Sequence, residues 1–276
     1  MDKFFEILFL DSNSIIYDCM RDIEYNNNNN DYERKLINAV CKKIETYIQQ
    51  ISPTRTVYIA FDGVAPVAKL NQQKNRRYKS WFMGQYDTSS AVQWNSSAIT
   101  PGTEFMNKLN LQARYHFRKP SSFNVNQIIV SGSDYPGEGE HKIFDYIREN
   151  NVEIKDTKSV IYGLDADLIM LSMIRDTNVI LLRERTEYNI EKTENDYIYL
   201  KIDPLKDHII QSLDIDQANK EQIINDYIFI CYFLGNDFPT NPAACCAIIT
   251  TFSRSGPVMS KSIDLPPPNP LWNKLG

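Results

Sequence analysis

The sequence predicts an α/β fold with a mainly parallel central sheet flanked by helices. Five short apolar runs alternate with longer segments of helical periodicity, and each run ends in a polar turn. Continuous runs of Val, Ile, Leu and Tyr are typical of parallel strands that are buried on both faces, and the segments between them supply crossover helices. The predicted strands are Ile7 to Leu10, Thr56 to Phe61, Gln127 to Val130, Ser159 to Tyr162 and Val179 to Leu182.

Two stretches interrupt this alternation and are expected to form exposed loops. One is the run Asn26 to Asn30, and the other is the Ser/Thr/Gln-rich stretch from about Gly84 to Thr100. The composition changes again near residue 240, after which serines and a proline cluster accumulate. We therefore expect one main domain over residues 1–240 and a divergent or truncated tail over residues 241–276.

The composition is that of a globular protein, and its net charge does not by itself favour nucleic acid. A chain of 276 residues with 42% hydrophobic content can bury one large core. No apolar stretch approaches the roughly 18 residues of a membrane span, and the first ten residues carry no signal-peptide cleavage pattern. We expect an intracellular monomer without a membrane partner, in the cytoplasm rather than the nucleus. The net charge of −5 requires any phosphate-binding residues to be concentrated locally.

Acidic residues follow most of the predicted strands. Because the carboxyl ends of parallel strands meet at one edge of a sheet, these carboxylates are expected to converge there. Any single aspartate could instead cap a helix, and Asp167 could cap the helix Leu168 to Met173. The pairs in GEGE and DAD are not explained by capping, and converging carboxylates would repel unless Mg²⁺ or Mn²⁺ ions, two of them, lay among them. The predicted metal-binding and catalytic residues are Asp11, Asp62, Glu138, Glu140, Asp165, Asp167 and Asp237.

A basic segment follows Asp62 closely. Residues 69–79 read KLNQQKNRRYK, with five basic residues and no acidic one, and Pro66 is expected in the first turn of their helix. Lys69, Gln73, Arg76 and Arg77 fall at spacings that share one helix face. Alone, such a face is more often solvated, but beside an acidic edge it predicts a phosphate pocket.

These motifs together resemble the first conserved region of the Xrn-type 5′→3′ exoribonucleases over about residues 7 to 240. The segments that carry the resemblance, in order, are IAFDGVAPVAKLNQQKNRRYKS, SAITPGTEFM, VSGSDYPGEGEHKIFDYIRE, VIYGLDADLIMLSM, ILLRE and FLGNDF. The resemblance implies a PIN-like, flap-nuclease-related core. Its seven metal-binding acids match the seven residues named above, and its 5′-monophosphate pocket matches Lys69, Gln73, Arg76 and Arg77. The family's base-stacking histidine corresponds to Tyr17 in DSNSIIY.

The implied function is hydrolysis of single-stranded RNA with a 5′-monophosphate to nucleoside 5′-monophosphates, by two-metal-ion catalysis. Two alternatives remain open from the sequence. A flap or 5′ DNA nuclease of the same superfamily would share the carboxylates, although the basic segment favours the RNA enzyme. The second alternative is a truncated RNA-binding protein without catalytic activity. The presence of all seven acidic residues argues against it.

Overall fold

The computed structural model describes residues 5–86, 94–163, 165, 167–175, 178–184, 197–213 and 219–234, with backbone alone at positions 68, 72, 76, 80, 81 and 83–86. The chain divides into two compact units, Met1–Leu182 and Arg183–Gly276. The predicted boundary near residue 240 lies outside the described residues, as do Asp237 and the whole predicted tail.

Six strands form one sheet in the order β3-β2-β1-β4-β5-β6. The pairs β1/β2, β2/β3, β1/β4 and β4/β5 are all parallel. The strands are β1 (Ile7–Asp11), β2 (Thr56–Ala60), β3 (Gln127–Ser131), β4 (Lys158–Tyr162), β5 (Asn178–Glu184) and β6 (Tyr197–Lys201). The predicted α/β class with a mainly parallel sheet is confirmed. Each predicted strand overlaps an observed strand, and its two ends differ from the observed ends by at most two residues.

Nine α-helices are present in the described part of the chain. They are α1 (Asn13–Asp22), α2 (Asn29–Ile51), α3 (Val67–Tyr86), α4 (Glu104–His116), α5 (Gly139–Glu149), α6 (Asn151–Ile154), α7 (Asp167–Met173), α8 (Ile202–Ser212) and α9 (Lys220–Leu234). The predicted helix after Pro66 is α3, which begins one residue later. Within the described ranges, none of these helices has both the length and the apolar character needed to cross a membrane.

The core of the first unit lies on both faces of the sheet. β1 and β2 are buried along their length because helices cover them, as their uninterrupted apolar sequences require. α2 contributes a buried stripe that includes Leu36, Val40 and Ile44. This helix begins at a capping asparagine, since the Asn28 side chain accepts a hydrogen bond from the Asp31 backbone N–H at 3.2 Å. The last residues of the exposed Asn run therefore form the start of α2.

The prediction of an exposed loop from Gly84 to Thr100 is wrong in both of its described parts, since residues 84–86 belong to α3 and residues 94–100 include buried side chains, while residues 87–93 lie outside the described residues. Trp94 is buried, with its ring 5.0 Å from Phe105 and 5.3 Å from Tyr32. Ile99 is also buried, directly after a short 3-10 helix. The polar residues around Trp94 suggested solvent exposure, but one indole contributes enough apolar area to anchor the segment.

Candidate metal and nucleic-acid site

Four loops meet at the carboxyl edge of the parallel sheet. Asp11 is the last residue of β1, and Asp62 lies two residues beyond β2. Glu138 and Glu140 flank the start of α5, and Asp165 follows β4. The predicted convergence of strand-end acids is thus present for every predicted acid in the described ranges.

Gly139 allows this convergence because it has no side chain. A Cβ atom built on Gly139 would lie 2.3 Å from Oδ1 of Asp11 and 3.4 Å from Oδ1 of Asp62. The Asp11 carboxylate can therefore approach the backbone of α5 this closely because residue 139 is glycine, whereas the distance to Asp62 would be an ordinary contact. The glycine of the GEGE motif is thus required by close approach.

Asp62 is held by hydrogen bonds from two directions. Its Oδ1 accepts from the Gly139 backbone N–H at 2.7 Å, and its Oδ2 accepts from Nδ2 of Asn13 at 2.5 Å. Asn13 also accepts from the Asp62 backbone N–H at 3.1 Å. This reciprocal pair fixes the carboxylate orientation, and Asp62 satisfies one otherwise unpaired N–H at the start of α5.

Glu138 and Glu140 share a buried cation, Lys69 of α3. The Lys69 ammonium lies 2.8 Å from Oε2 of Glu138 and 3.8 Å from Oε1 of Glu140. Nδ1 of His141 lies 3.4 Å from the same Glu138 oxygen. Glu138 occupies the N-cap position of α5, yet its side chain makes no capping hydrogen bond. Helix capping therefore does not account for this carboxylate.

Asp165 and Asp167 complete the cluster from the β4 side. One carboxylate oxygen from each of Glu140, Asp165 and Asp167 lies within 4.8 Å of the others. Ligand atoms of Glu138, Glu140 and His141 form a second such group, so the two groups share Glu140. The Asp165 side chain accepts a hydrogen bond from the Asp167 backbone N–H at 3.2 Å. Asp165 therefore makes a capping contact at the start of α7, a role that the sequence suggested for Asp167.

The pKa values reflect crowding of like charges in a buried place. Burial raises the pKa of Glu140 to about 7, and Asp165 and Asp167 add to the rise. The pKa of Asp11 is raised by burial and then by Asp62 and Glu140. Burial opposes ionisation of Glu138 too, but the neighbouring His141 and Lys69 lower its pKa overall. Two of these carboxyls are therefore costly to ionise without a cation.

The donor set fits a divalent metal. In the described part of the chain, Oδ1 of Asp11 and Oε2 of Glu140 are buried without a hydrogen-bond partner. A buried carboxylate oxygen without a donor is unfavourable, whereas a hard cation would satisfy it. Carboxylate oxygens are the ligands that Mg²⁺ and Mn²⁺ prefer.

The predicted basic face is distributed between two environments. Lys69 is buried among the acids, Gln73 is half-buried and Arg77 is exposed, and all three lie on α3. The side chain of Arg76 is outside the described set. Tyr17, on α1, is 37% exposed, so its ring is accessible for stacking.

Two residues at this edge escaped the sequence analysis. Asn13 gave no signal beyond its position two residues after Asp11 in DSN. Lys142 is buried, and its ammonium donates to the carbonyl oxygens of Phe61 at 2.7 Å and Gly132 at 2.8 Å. Its position one turn into α5, after GEGE, could have indicated an inward orientation.

Comparison with known proteins decides the family. Residues 1–185 match the family described as XRN 5'-3' exonuclease N-terminus. The chain belongs to this family. The resemblance drawn from the motifs is therefore confirmed.

Individual members of the XRN family align over most of the chain. The chain is 34% identical to 5'-3' exoribonuclease 1 of Saccharomyces cerevisiae, over 86% of this chain and 18% of that protein. It is 32% identical to 5'-3' exoribonuclease 1 of Homo sapiens, over 85% of this chain and 16% of that protein. It is 31% identical to 5'-3' exoribonuclease 2 of Kluyveromyces lactis, over 84% of this chain and 29% of that protein. The chain thus spans less than a third of each relative's length.

A solved structure of the catalytic core of Rad2 in complex with DNA substrate also aligns with the chain. The TM-score is 0.46 at 15% identity, over 91% of this chain and 63% of that chain.

Proposed function

We propose that the chain hydrolyses single-stranded RNA from a 5′-monophosphorylated end and releases nucleoside 5′-monophosphates by two-metal-ion catalysis. The observation that carries this proposal is the carboxylate cluster at the sheet edge, which contains two buried oxygens without a donor and adjoins the basic helix α3. The 5'-3' exoribonucleases that align with the chain support the reaction class.

The residues that would hold the metal ions are the described acids of the cluster. Two overlapping groups of ligand atoms, which share Glu140, support the proposal of two ions. When bound there, a divalent pair would supply activation of water and stabilisation of charge at the phosphodiester. The set is Asp11, Asp62, Glu138, Glu140, Asp165 and Asp167, with Asp237 proposed from the sequence alone.

The chain's own residues supply orientation and end recognition. The hydrogen bonds from Gly139 and Asn13 fix the Asp62 carboxylate before any ligand arrives, which lowers the entropic cost of assembling the site. Gln73, Arg76 and Arg77 would bind the terminal phosphate through a neutral donor and two planar guanidinium groups. Lys69 would contribute a positive charge between the phosphate and the carboxylates. Tyr17 would stack on the terminal base.

The end group of the substrate tests the proposal directly. Purified protein with Mg²⁺ is incubated with three single strands of one sequence: 5′-monophosphate RNA, 5′-hydroxyl RNA and 5′-monophosphate DNA. The monophosphate RNA should be degraded fastest, stepwise from its 5′ end. Equal rates on RNA and DNA would favour the DNA nuclease, and binding without hydrolysis would favour the non-catalytic protein.

An active-site variant ties the activity to the cluster. Asp165→Asn should lower the rate on the order of 100-fold while RNA binding persists, because it removes a ligand and leaves the basic helix intact. Asp145→Asn, at an exposed carboxylate on α5, is the matched control and should keep wild-type activity.

A further inference from the structure

Lys142 is a buried cation that the proposed chemistry does not use. Its side chain is about 6% exposed, although lysine is rarely buried without a strong reason. It extends from the first turn of α5, and its ammonium donates to two backbone carbonyls, those of Phe61 and Gly132. These two residues belong to different loops, since Phe61 follows β2 and Gly132 follows β3.

The position of Lys142 connects three parts of the candidate site. Phe61 directly precedes Asp62, and Gly132 begins the loop that leads to Glu138. The lysine itself lies on the helix whose first residues are Gly139 and Glu140. One ammonium group therefore joins the backbone before Asp62, the start of the loop before Glu138, and the helix that carries Glu140.

The backbone of the loop before α5 lies close to Lys142. Gly137 adopts a φ of 96°, and a Cβ there would lie 3.8 Å from Cγ of Lys142, so the loop passes over the lysine stem. Gly63 donates to the Gly137 carbonyl at 2.8 Å, and Gly137 donates to the Val64 carbonyl at 3.0 Å. The two loops are thus also joined to each other by backbone hydrogen bonds.

We propose that Lys142 is a positioning residue for the metal site: by holding the Phe61 and Gly132 carbonyls together, it sets Asp62 at the distance from Gly139 that metal binding requires. This inference rests on the proposed metal-dependent function. Loss of the ammonium would leave two carbonyls without their donor and release the loop that carries Asp62. Residues that orient metal ligands in this way typically contribute tenfold or more to metal affinity.

The sign of the effect separates positioning from simple charge. A positive charge beside a cation site repels the metal, so a lysine acting only through its charge would weaken metal binding, and its removal would strengthen it. A positioning lysine acts in the opposite direction, because its removal misplaces a ligand. A purely structural lysine would change the stability of the fold and leave the metal affinity of the folded protein unchanged.

The experiment is an Mn²⁺ titration, followed by calorimetry and by electron paramagnetic resonance of free Mn²⁺, on the full chain without RNA. Lys142→Met should weaken Mn²⁺ binding by about tenfold or more. Lys142→Arg keeps the charge but alters the geometry and should also weaken binding, which provides the test if the methionine variant does not fold. Thr157→Val is the matched control, since it removes another buried hydrogen bond, from Thr157 to the Ile154 carbonyl. It should lower stability without changing Mn²⁺ affinity.

The titration distinguishes failure of the Lys142 proposal from failure of the proposed metal-dependent function. If the wild-type chain does not bind Mn²⁺, the metal-dependent function and the role of Lys142 are both wrong. If the wild type binds Mn²⁺ and Lys142→Met or Lys142→Arg binds it equally well or more tightly, only the positioning role is overturned. With RNA present, a positioning role should lower kcat more than it raises KM.

Discussion

Glu140 connects the pH of the solution to the stability of the metal-free protein. Its carboxyl has a pKa of about 7 in the folded chain, against 4.5 for an unperturbed glutamate, because it is buried beside Asp165 and Asp167. The folded state therefore holds this proton more tightly than the unfolded state. The stability it contributes is fully present below about pH 4.5 and is lost as the pH rises through about 7.

The expected size follows from the difference between a pKa of about 7 and the ordinary value of 4.5, which corresponds to roughly 3 kcal/mol when the pH is far above 7. Between about pH 5 and pH 7.5 the loss amounts to roughly 2 kcal/mol for this group. The raised pKa values of Asp11 and His141 act in the same direction. The lowered pKa of Glu138 changes the stability only below this pH range. The lowered pKa of Lys142, about 8, changes the stability only above this pH range.

Urea unfolding in EDTA, followed by tryptophan fluorescence, measures this dependence. The wild type should lose roughly 2 kcal/mol or more from about pH 5 to pH 7.5, and Glu140→Gln should lose much less. Glu104→Gln, at an exposed carboxylate on α4, is the control and should behave as the wild type. Saturating Mg²⁺ should reduce the slope, because it binds the ionised cluster. A flat profile in EDTA, or equal slopes in the wild type and Glu140→Gln, would refute the crowded-carboxylate account.

Three further variants test local parts of the structure. Gly139→Ala should weaken Mn²⁺ binding in a titration by about tenfold or more, since its Cβ would lie 2.3 Å from Asp11 Oδ1; unchanged affinity would contradict this approach. Asn13→Ala should lower the free energy of unfolding in urea by about 1–3 kcal/mol by removing both contacts to Asp62, and a neutral result would argue against the pair. Trp94→Ala should cost about 3–5 kcal/mol in the same assay, whereas a truly exposed indole would cost almost nothing.

The parallel sheet was predictable because burial on both faces leaves a strong pattern. Runs such as Ile7 to Leu10 carry no polar residue, so only a fully covered strand suits them. The convergence of Asp11 and Asp62 followed from the same inference, since adjacent parallel strands end at one edge. The convergence of these carboxylates could therefore be predicted from the sequence alone.

The residues that orient these carboxylates could not be found in the same way. Asn13 lies between two serines, and Lys142 is a charged residue next to His141, so each is compatible with a solvent-exposed position. Their importance depends on contacts to Asp62 and to the Phe61 carbonyl, which are distant in sequence. Trp94 escaped for the converse reason, because its polar neighbours concealed a buried side chain.

The predicted basic face of α3 lies partly in a buried environment and partly in an exposed one. Spacing placed Lys69, Gln73 and Arg77 on one face of α3, but a helix rises about 1.5 Å per residue, so Gln73 and Arg77 lie about 6 Å and 12 Å further along the axis. Lys69 is buried against Glu138, whereas Arg77 is exposed. A terminal phosphate bound by Gln73 and Arg77 would lie one to two helical turns from the carboxylates, at a distance fixed by the helix. End recognition and the site of hydrolysis would then be connected by a rigid element, and Lys69 would be the residue that both share.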